Sequence, residues 1–568
     1  MNERVFFRII SYLGALFIFI SSLTGISAGS APAGPDPSLE TPVWPAWVHE
    51  HWVWENTGTQ DTIRNLVEDY LDNDIPVGAI IIDNPWATGI GTFVPDPALY
   101  PDMEEQIKMY HDKDIRVMLW ATCMVNEDAS NFQEGKDKGY YLSNGKTVKW
   151  WSGKGAFLDY TNPEAVDWWH KQMDIVLNMG IDGWKVDGAD PYVMLLMPAT
   201  GFGDRHVTWK EYRNAFYRDF FEYTREKLGN DRVISARPVN DVALRIGLPL
   251  VFTERDVNFA GWVGDNDNDW GGLRHALNDM LASSNYNFVS YGSDIGGFRS
   301  EGEKYKDVFI RWAQLGAFCP VMENGGSGEH RPWMYDTETA DVYRKFVNLH
   351  HELIPYIYSQ AAYSYELVKP TMRPQPGIYQ YLLGDDILVA PFFQEGNSRT
   401  VVFPKGEWID MFDETKTYTG GIRKLEFGFD EFPAFIRKGA IIPLDVTNGA
   451  NGHGSEHSAG YTTVLMYPQS GEKKFGLYEE NEKGSMLSYT KGGDSLTVNC
   501  TPTKRALLFK VSGEPAPAAV KNASGEALTR AASMEALVAT QAGYFVDGGV
   551  TWYAIKDASE GMEIQVRY

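Results

Sequence analysis

Cysteine is scarce, with three residues in a chain of 568. Cys123, Cys319 and Cys500 are far apart and none sits in a CxxC spacing, so neither a disulfide framework nor a zinc cluster is encoded. They read as small buried hydrophobes. HExxH and phosphate-loop motifs are absent, and no internal repeat is seen. Basic charge is in deficit: 51 Lys and Arg face 76 Asp and Glu, a net charge of -25. That balance argues against nucleic acid or an anionic membrane as partner, because phosphate binding needs surplus cations. The Asp-Asn-Asp-Asn-Asp run at 265–269 looks like the opening of a calcium loop, but Trp270 and Ala276 stand where its Gly and Glu are needed. No metal site and no cofactor is expected.

Aromatic residues are plentiful at 14%, including 18 Trp and 30 Tyr, which suits either a large core or a sugar-binding surface. Arg4 and Arg8 precede an apolar stretch from Ile9 to Ile26, and Ile26-Ser27-Ala28 offers a small-residue cleavage site. Residues 1–28 therefore read as a signal peptide and the protein as secreted or periplasmic, with an uncleaved anchor helix as the alternative. No stable membrane insertion is expected after cleavage. Residues 29–43 read as a Pro/Ser/Gly linker.

From 44 to 366 short β-branched runs alternate with helical ones. Val77–Ile82, Ile115–Leu119, Gly180–Val186, Val233–Ser235, Leu250–Phe252 and Asn287–Tyr291 read as strands, with helices such as Asp61–Leu71, Pro163–Met179 and Trp209–Leu228 between them. Such alternation over about 300 residues means parallel strands with helical crossovers, and the fold class is α/β, a (β/α)8 TIM barrel. Two all-β sandwiches are expected to follow, at 367–447 and 448–568, with the Asn/Gly-rich stretch Asn448–His457 between them.

The functional face of such a barrel is the carboxyl end of its strands. Several strands end in an acid: Asp83 after Ile80-Ile81-Ile82, Asp187 and then Asp190 after Trp184-Lys185-Val186, Asp294 shortly after Tyr291, and Asp265, Asp267 and Asp269 beyond Val251-Phe252. A lone acid in that position is usually a helix cap. Repetition around one rim, beside Trp86, Trp151, Trp184 and Trp262, points instead to a pocket. Two carboxyls across a pocket suit glycosidic cleavage, one ionised and attacking, the other protonated and donating.

These segments resemble glycoside hydrolase family 31, which holds α-glucosidases, α-xylosidases and their relatives. The resemblance runs from about Trp44 to Leu444. It rests on Ile81-Ile82-Asp83, Trp151-Ser152-Gly153, Trp184-Lys185-Val186-Asp187, Ser235-Ala236-Arg237, Trp262-Val263-Gly264-Asp265-Asn266 and Ser293-Asp294-Ile295-Gly296-Gly297-Phe298, with further tags downstream. It implies Asp187 as nucleophile and Asp265 as general acid/base. Asp83, Arg237 and Asp294 would hold the terminal sugar's hydroxyls, and Trp151, Trp262 and Phe298 would wall the pocket. The implied activity is retaining exo-cleavage of terminal α-linked sugars in an oligosaccharide or glycoside.

Three departures bear on the substrate. The family's N-terminal β-domain, which lends a loop to the pocket, has no counterpart before the barrel, so a longer barrel loop or a neighbouring subunit of a homo-oligomer would complete the rim. Where many members carry a sugar-binding His, the chain reads Val321-Met322-Glu323-Asn324-Gly325-Gly326; Asn324 is placed as its replacement, with Glu323 or His330 supplying the missing contact. Lys185 stands where many glucosidases have a hydrophobic residue and would favour the ionised form of Asp187. Together with the compactness of the chain, these make an α-galactoside the first expected substrate, ahead of α-glucosides and α-xylosides. A non-catalytic carbohydrate-binding protein and a transglycosylase are the competing readings.

Overall fold

The computed structural model describes residues 36–188, 199–240, 250–300 and 305–568. The expected signal peptide, residues 29–35 of the expected linker and Asp190 lie outside the described residues. By its contacts the chain divides into two compact units. One is Val43–Ala340; the other joins the described residues before Val43 to Asp341–Tyr568.

The first unit is the barrel. Eight parallel strands follow in chain order: β1 (His51–Glu55), β2 (Ala79–Ile82), β3 (Arg116–Ala121), β4 (Gly183–Val186), β5 (Val233–Ser235), β6 (Gly261–Trp262), β7 (Tyr291–Gly292) and β8 (Met322–Asn324). Six form one sheet in the order β5-β4-β3-β2-β1-β8, so the last strand returns beside the first. β6 and β7 pair with each other, and a parallel bridge from Asp294 to Glu323 continues the circuit towards β8. Ala79 to Ile82 is an unbroken buried apolar run, as a strand covered on both faces requires.

Helices fill the crossovers. α1 (Gln60–Asp72) follows β1 and starts at Thr59, whose hydroxyl accepts from the Thr62 N–H. α2 (Met103–His111) follows β2, and α3 (Pro163–Leu177) follows β3 with Asn162 as its cap and Pro163 in its first turn. α4 (Trp209–Leu228) opens with a reciprocal Thr208–Glu211 box. α5 (Trp270–Asn285) and α6 (Lys306–Gly316) follow β6 and β7.

Two expectations need correction. Leu250–Phe252 does not enter the barrel: Leu250–Val251 pairs antiparallel with Val239–Asn240 in a ladder of its own. The sixth and seventh barrel strands are instead the two-residue β6 and β7, too short for a periodicity reading. The boundary between the β regions also moves. The first is one six-stranded sheet, Met372–Pro374 to Ala434–Arg437 with the long hairpin Ser398–Asp410/Thr417–Glu426 at its edge. Ile441–Leu444 already pairs with Thr462–Met466 in the next sheet, ahead of the Asn/Gly-rich stretch. The remaining chain forms a six-stranded and a five-stranded sheet. Residues just before Val43 pack in this second unit, where Leu39 accepts the Gly484 N–H at 2.8 Å.

Candidate active site

Side chains along a strand alternate, so every second residue faces the barrel axis. On β1, Trp52 and Trp54 face inward while His51 turns its ring edge to Tyr70 of α1. On β4, Lys185 faces inward, and Asp187, two residues on, shares its direction. Trp184 has the other parity: its indole N–H donates to Thr224 of α4 at 2.8 Å, so it belongs to the helix layer and not to the rim. On β8, Glu323 faces inward opposite Trp52. Asn324 faces outward, its amide donating to the Tyr70 hydroxyl at 2.7 Å and to the His330 carbonyl at 2.9 Å. The Asn324 amide nitrogen is thus engaged between β8 and α1, one residue out of register with Glu323. His330 is buried with Nε2 3.3 Å from Glu55, and serves the same outer layer.

Arg237, two residues past β5, ties the site together. Its Nε lies 3.3 Å from Asp187 Oδ1, its Nη2 2.9 Å from Asp265 Oδ2, and its Nη1 donates to the Gly264 carbonyl at 3.2 Å. One planar guanidinium spanning both carboxylates holds those two oxygens within about 9 Å of each other. The ring of Trp262 lies 4.7 Å from the same guanidinium. Gly264 makes this crowding possible: a Cβ there would come within 2.3 Å of Asp294 Oδ2 and 2.1 Å of the Trp262 indole nitrogen.

Lys185 Nζ is the buried hub of the floor. It stands 3.3 Å from Asp83, 3.7 Å from Glu323 and 3.4 Å from the ring centroid of Trp54. Trp54 in turn stacks on Phe298 at 5.9 Å. Trp54 was not anticipated, although the alternation His51-Trp52-Val53-Trp54-Glu55 is itself a strand signal with bulky residues on one face. The Trp54 indole nitrogen, Asp294 Oδ1, both Glu323 oxygens and Asn324 Oδ1 are among the buried side-chain atoms without a hydrogen-bond partner. Buried polar atoms left open in this way are places for a polar ligand or water.

The charges sort themselves by neighbour. Burial alone would push the Asp187 carboxyl up, but Arg237, the Gly188 N–H and Lys185 outweigh it and hold the group below its ordinary value. Burial pushes Asp83 up against the pull of Lys185. It pushes Asp294 up to about 6 and Glu323 up to about 8, each against the Lys185 charge. Burial opposes charge on Lys185 too, yet Asp83, Glu323, Asp294 and Asp187 together raise it above the usual lysine range. One ammonium cannot satisfy that many carboxylates, so Glu323 and Asp294 hold their protons to higher pH than Asp187 does.

Of the other residues singled out, Trp86 is buried with its indole N–H donating to the Trp120 carbonyl at 2.7 Å. Trp151 is 59% exposed, edge-on to Trp120 at 5.8 Å, in the turn between the paired strands Val148–Trp150 and Gly153–Phe157. Asp269 is the cap of α5, accepting from the Gly272 N–H at 2.8 Å. No group of three or more His, Cys, Asp or Glu among the described residues is arranged to hold a metal ion.

A barrel whose strand ends gather carboxylates around Lys185 and Arg237, beside the rings of Trp54 and Trp262, has the make-up of a sugar-handling protein. The chain belongs to glycosyl hydrolase family 31: the family's TIM-barrel model matches residues 41–360 and its C-terminal-domain model residues 369–442. It is similar to the α-xylosidase XylQ of Lactiplantibacillus pentosus, 28% identical over 79% of this chain and 62% of that one. It is also similar to α-glucosidase 2 of Bacillus thermoamyloliquefaciens, 27% identical over 79% of this chain and 59% of that one. The chain thus spans about three fifths of the length of these relatives. In fold it matches the cycloalternan-forming enzyme of Listeria monocytogenes, solved with a pentasaccharide substrate, at a TM-score of 0.81 and 21% identity over 93% of this chain and 55% of that one.

Proposed function

We propose that the chain is a retaining exo-α-glycosidase acting through Asp187 and Asp265. The observation that supports this reading is the Arg237 bridge, in which one guanidinium meets both carboxylates. Asp187, kept ionised by Arg237, attacks the anomeric carbon as the glycosidic C–O bond breaks. Asp265 gives its proton to the leaving oxygen. Asp265 then takes a proton from water, whose oxygen displaces Asp187 and restores the enzyme. Asp83, Asp294, Lys185 and Glu323 hold the ring hydroxyls on the floor, between Trp262 and Phe298.

The names of the relatives favour α-xylosides and α-glucosides as first substrates, ahead of the α-galactosides expected from the sequence. The apolar segment Ile9–Ile26 and the small residues after it support export to the periplasm or beyond. The test is release of nitrophenol from α-xylosyl, α-glucosyl and α-galactosyl substrates, with the first product's anomer followed by NMR. An α-product is expected. A β-product would overturn the nucleophile role of Asp187, and saturable sugar binding without turnover of any substrate would make the protein a binding module.

A further inference from the structure

Asp265 is held in a backbone conformation that its neighbours must maintain. Its φ is +60°, in the left-handed region that residues with a Cβ enter sparingly. From the pocket side Asp294 fixes it: the Asp265 N–H donates to Asp294 Oδ2 at 3.3 Å. From the solvent side a residue with no place in the family tags does the rest. Arg299 Nη1 donates to the Asp265 carbonyl oxygen. Its guanidinium also stands 3.9 Å from the Asp265 carboxylate and 3.7 Å from that of Asp267.

The main chains of the two loops are zipped at the same place. The Arg299 N–H donates to the Asn266 carbonyl at 2.9 Å, and the Asn268 N–H to the Arg299 carbonyl at 3.1 Å. The Asn268 amide donates to the Ser300 hydroxyl at 3.0 Å. Gly297 keeps the approach open, since a Cβ there would come within 2.6 Å of the Asp267 carbonyl.

We infer that Arg299 is a positioning residue for the general acid: it clamps the Asp265 loop from outside so that the carboxyl faces the leaving-group oxygen. This rests on the proposed role of Asp265. Arg299 does not share the work of Arg237. Arg237 is buried and touches both carboxylates, whereas the Arg299 side chain is 36% exposed and its closest contact to Asp265 is to the main chain. A clamp on the acid matters only where the acid is needed. Displacing a catalytic group by a fraction of its contact distance removes much of its benefit, and general acid assistance is worth about 10²–10⁴-fold in rate.

The test is a leaving-group series of aryl α-D-xylosides and α-D-glucosides, from 2,4-dinitrophenyl, which departs without a proton, to phenyl, which requires one. For Arg299→Gln, kcat/KM should fall by about 10–100-fold on the phenyl glycoside and stay near the parent value on the dinitrophenyl glycoside. Arg299→Lys should recover part of the phenyl activity. A uniform fall across the series, or no fall at all, would overturn the inference, because a merely structural loss is blind to the leaving group. Asp265→Ala is run in parallel. If it too loses activity uniformly, the acid role of Asp265 itself fails; if it shows the leaving-group slope and Arg299→Gln does not, only the clamp fails. Unchanged melting of each variant shows that it is folded.

Discussion

Acids at the ends of the barrel strands are treated differently from those in the ion pairs of the β unit, and from Asp182 in the barrel itself, which meets Arg116 at 3.0 Å. In the β unit the acids of these pairs are matched. Asp386 meets Lys473 at 2.7 Å and Arg437 at 3.6 Å, Glu414 meets Lys510 at 2.7 Å, and Glu479 meets Arg505 at 2.5 Å. Burial works against Glu414, but Lys510 outweighs it and holds the carboxyl below its ordinary value. In the barrel, Asp83, Asp187, Asp265, Asp294 and Glu323 crowd around Lys185 and Arg237, and two of them are pushed up to about 6 and about 8. Matched buried charge serves the fold, whereas acids crowded beyond their cations, with oxygens left open, serve a ligand. Asp410 in the β unit breaks the pattern, pushed up to about 6 by burial with only backbone N–H donors and a weak pull from Lys416 against it. That exception keeps the pattern from being a rule about units as such.

The sharpest way to break the comparison is to remove Asp187, whose carboxyl Arg237 and its neighbours hold below its ordinary value. Asp187→Asn should lower kcat on an aryl α-glycoside by about 10⁴-fold or more without lowering the melting temperature. Next is Glu323→Gln, which should lower kcat/KM by about 10–100-fold while raising stability at neutral pH. The sign follows from linkage. A carboxyl whose value is 4.5 when free and about 8 when folded binds its proton more tightly in the folded chain, so stability is full below the free value and falls as pH rises towards the folded one. Denaturation midpoints at pH 5 and pH 8 should therefore converge in Glu323→Gln relative to the parent.

The β unit should answer the opposite way. Lys473→Met leaves Asp386 buried with its more distant cation, and should cost about 1–3 kcal/mol in a urea titration, with kcat/KM unchanged. The smallest effect is expected from Asn324→Ala. If Asn324 links β8 to α1, the loss is about 1–2 kcal/mol of stability with KM unaltered. A raised KM at unchanged stability would return Asn324 to the pocket.

The barrel was legible where strands are apolar throughout, as in Ala79–Ile82, and where an acid follows the run, as with Asp83 and Asp187. β6 and β7 were not, because two residues carry no period. Parity was the other limit. Glu323 and Asn324 are adjacent polar residues at one strand end, and which of them faces the axis depends on register against β1, set by Trp52 and Val53. The same ambiguity put Trp184 at the rim when it packs among helices. Arg299 carried no signal at all, because its partner is a carbonyl oxygen brought close only by the fold.

The central claim is that Asp187 forms the covalent bond to sugar. Incubation with a 5-fluoro-α-glycosyl fluoride of the preferred sugar, followed by digestion and peptide mass spectrometry, tests it directly. One glycosyl adduct is expected, on the peptide carrying Asp187, with loss of activity in step with labelling. An adduct on Asp265, Asp294 or Glu323 would contradict it.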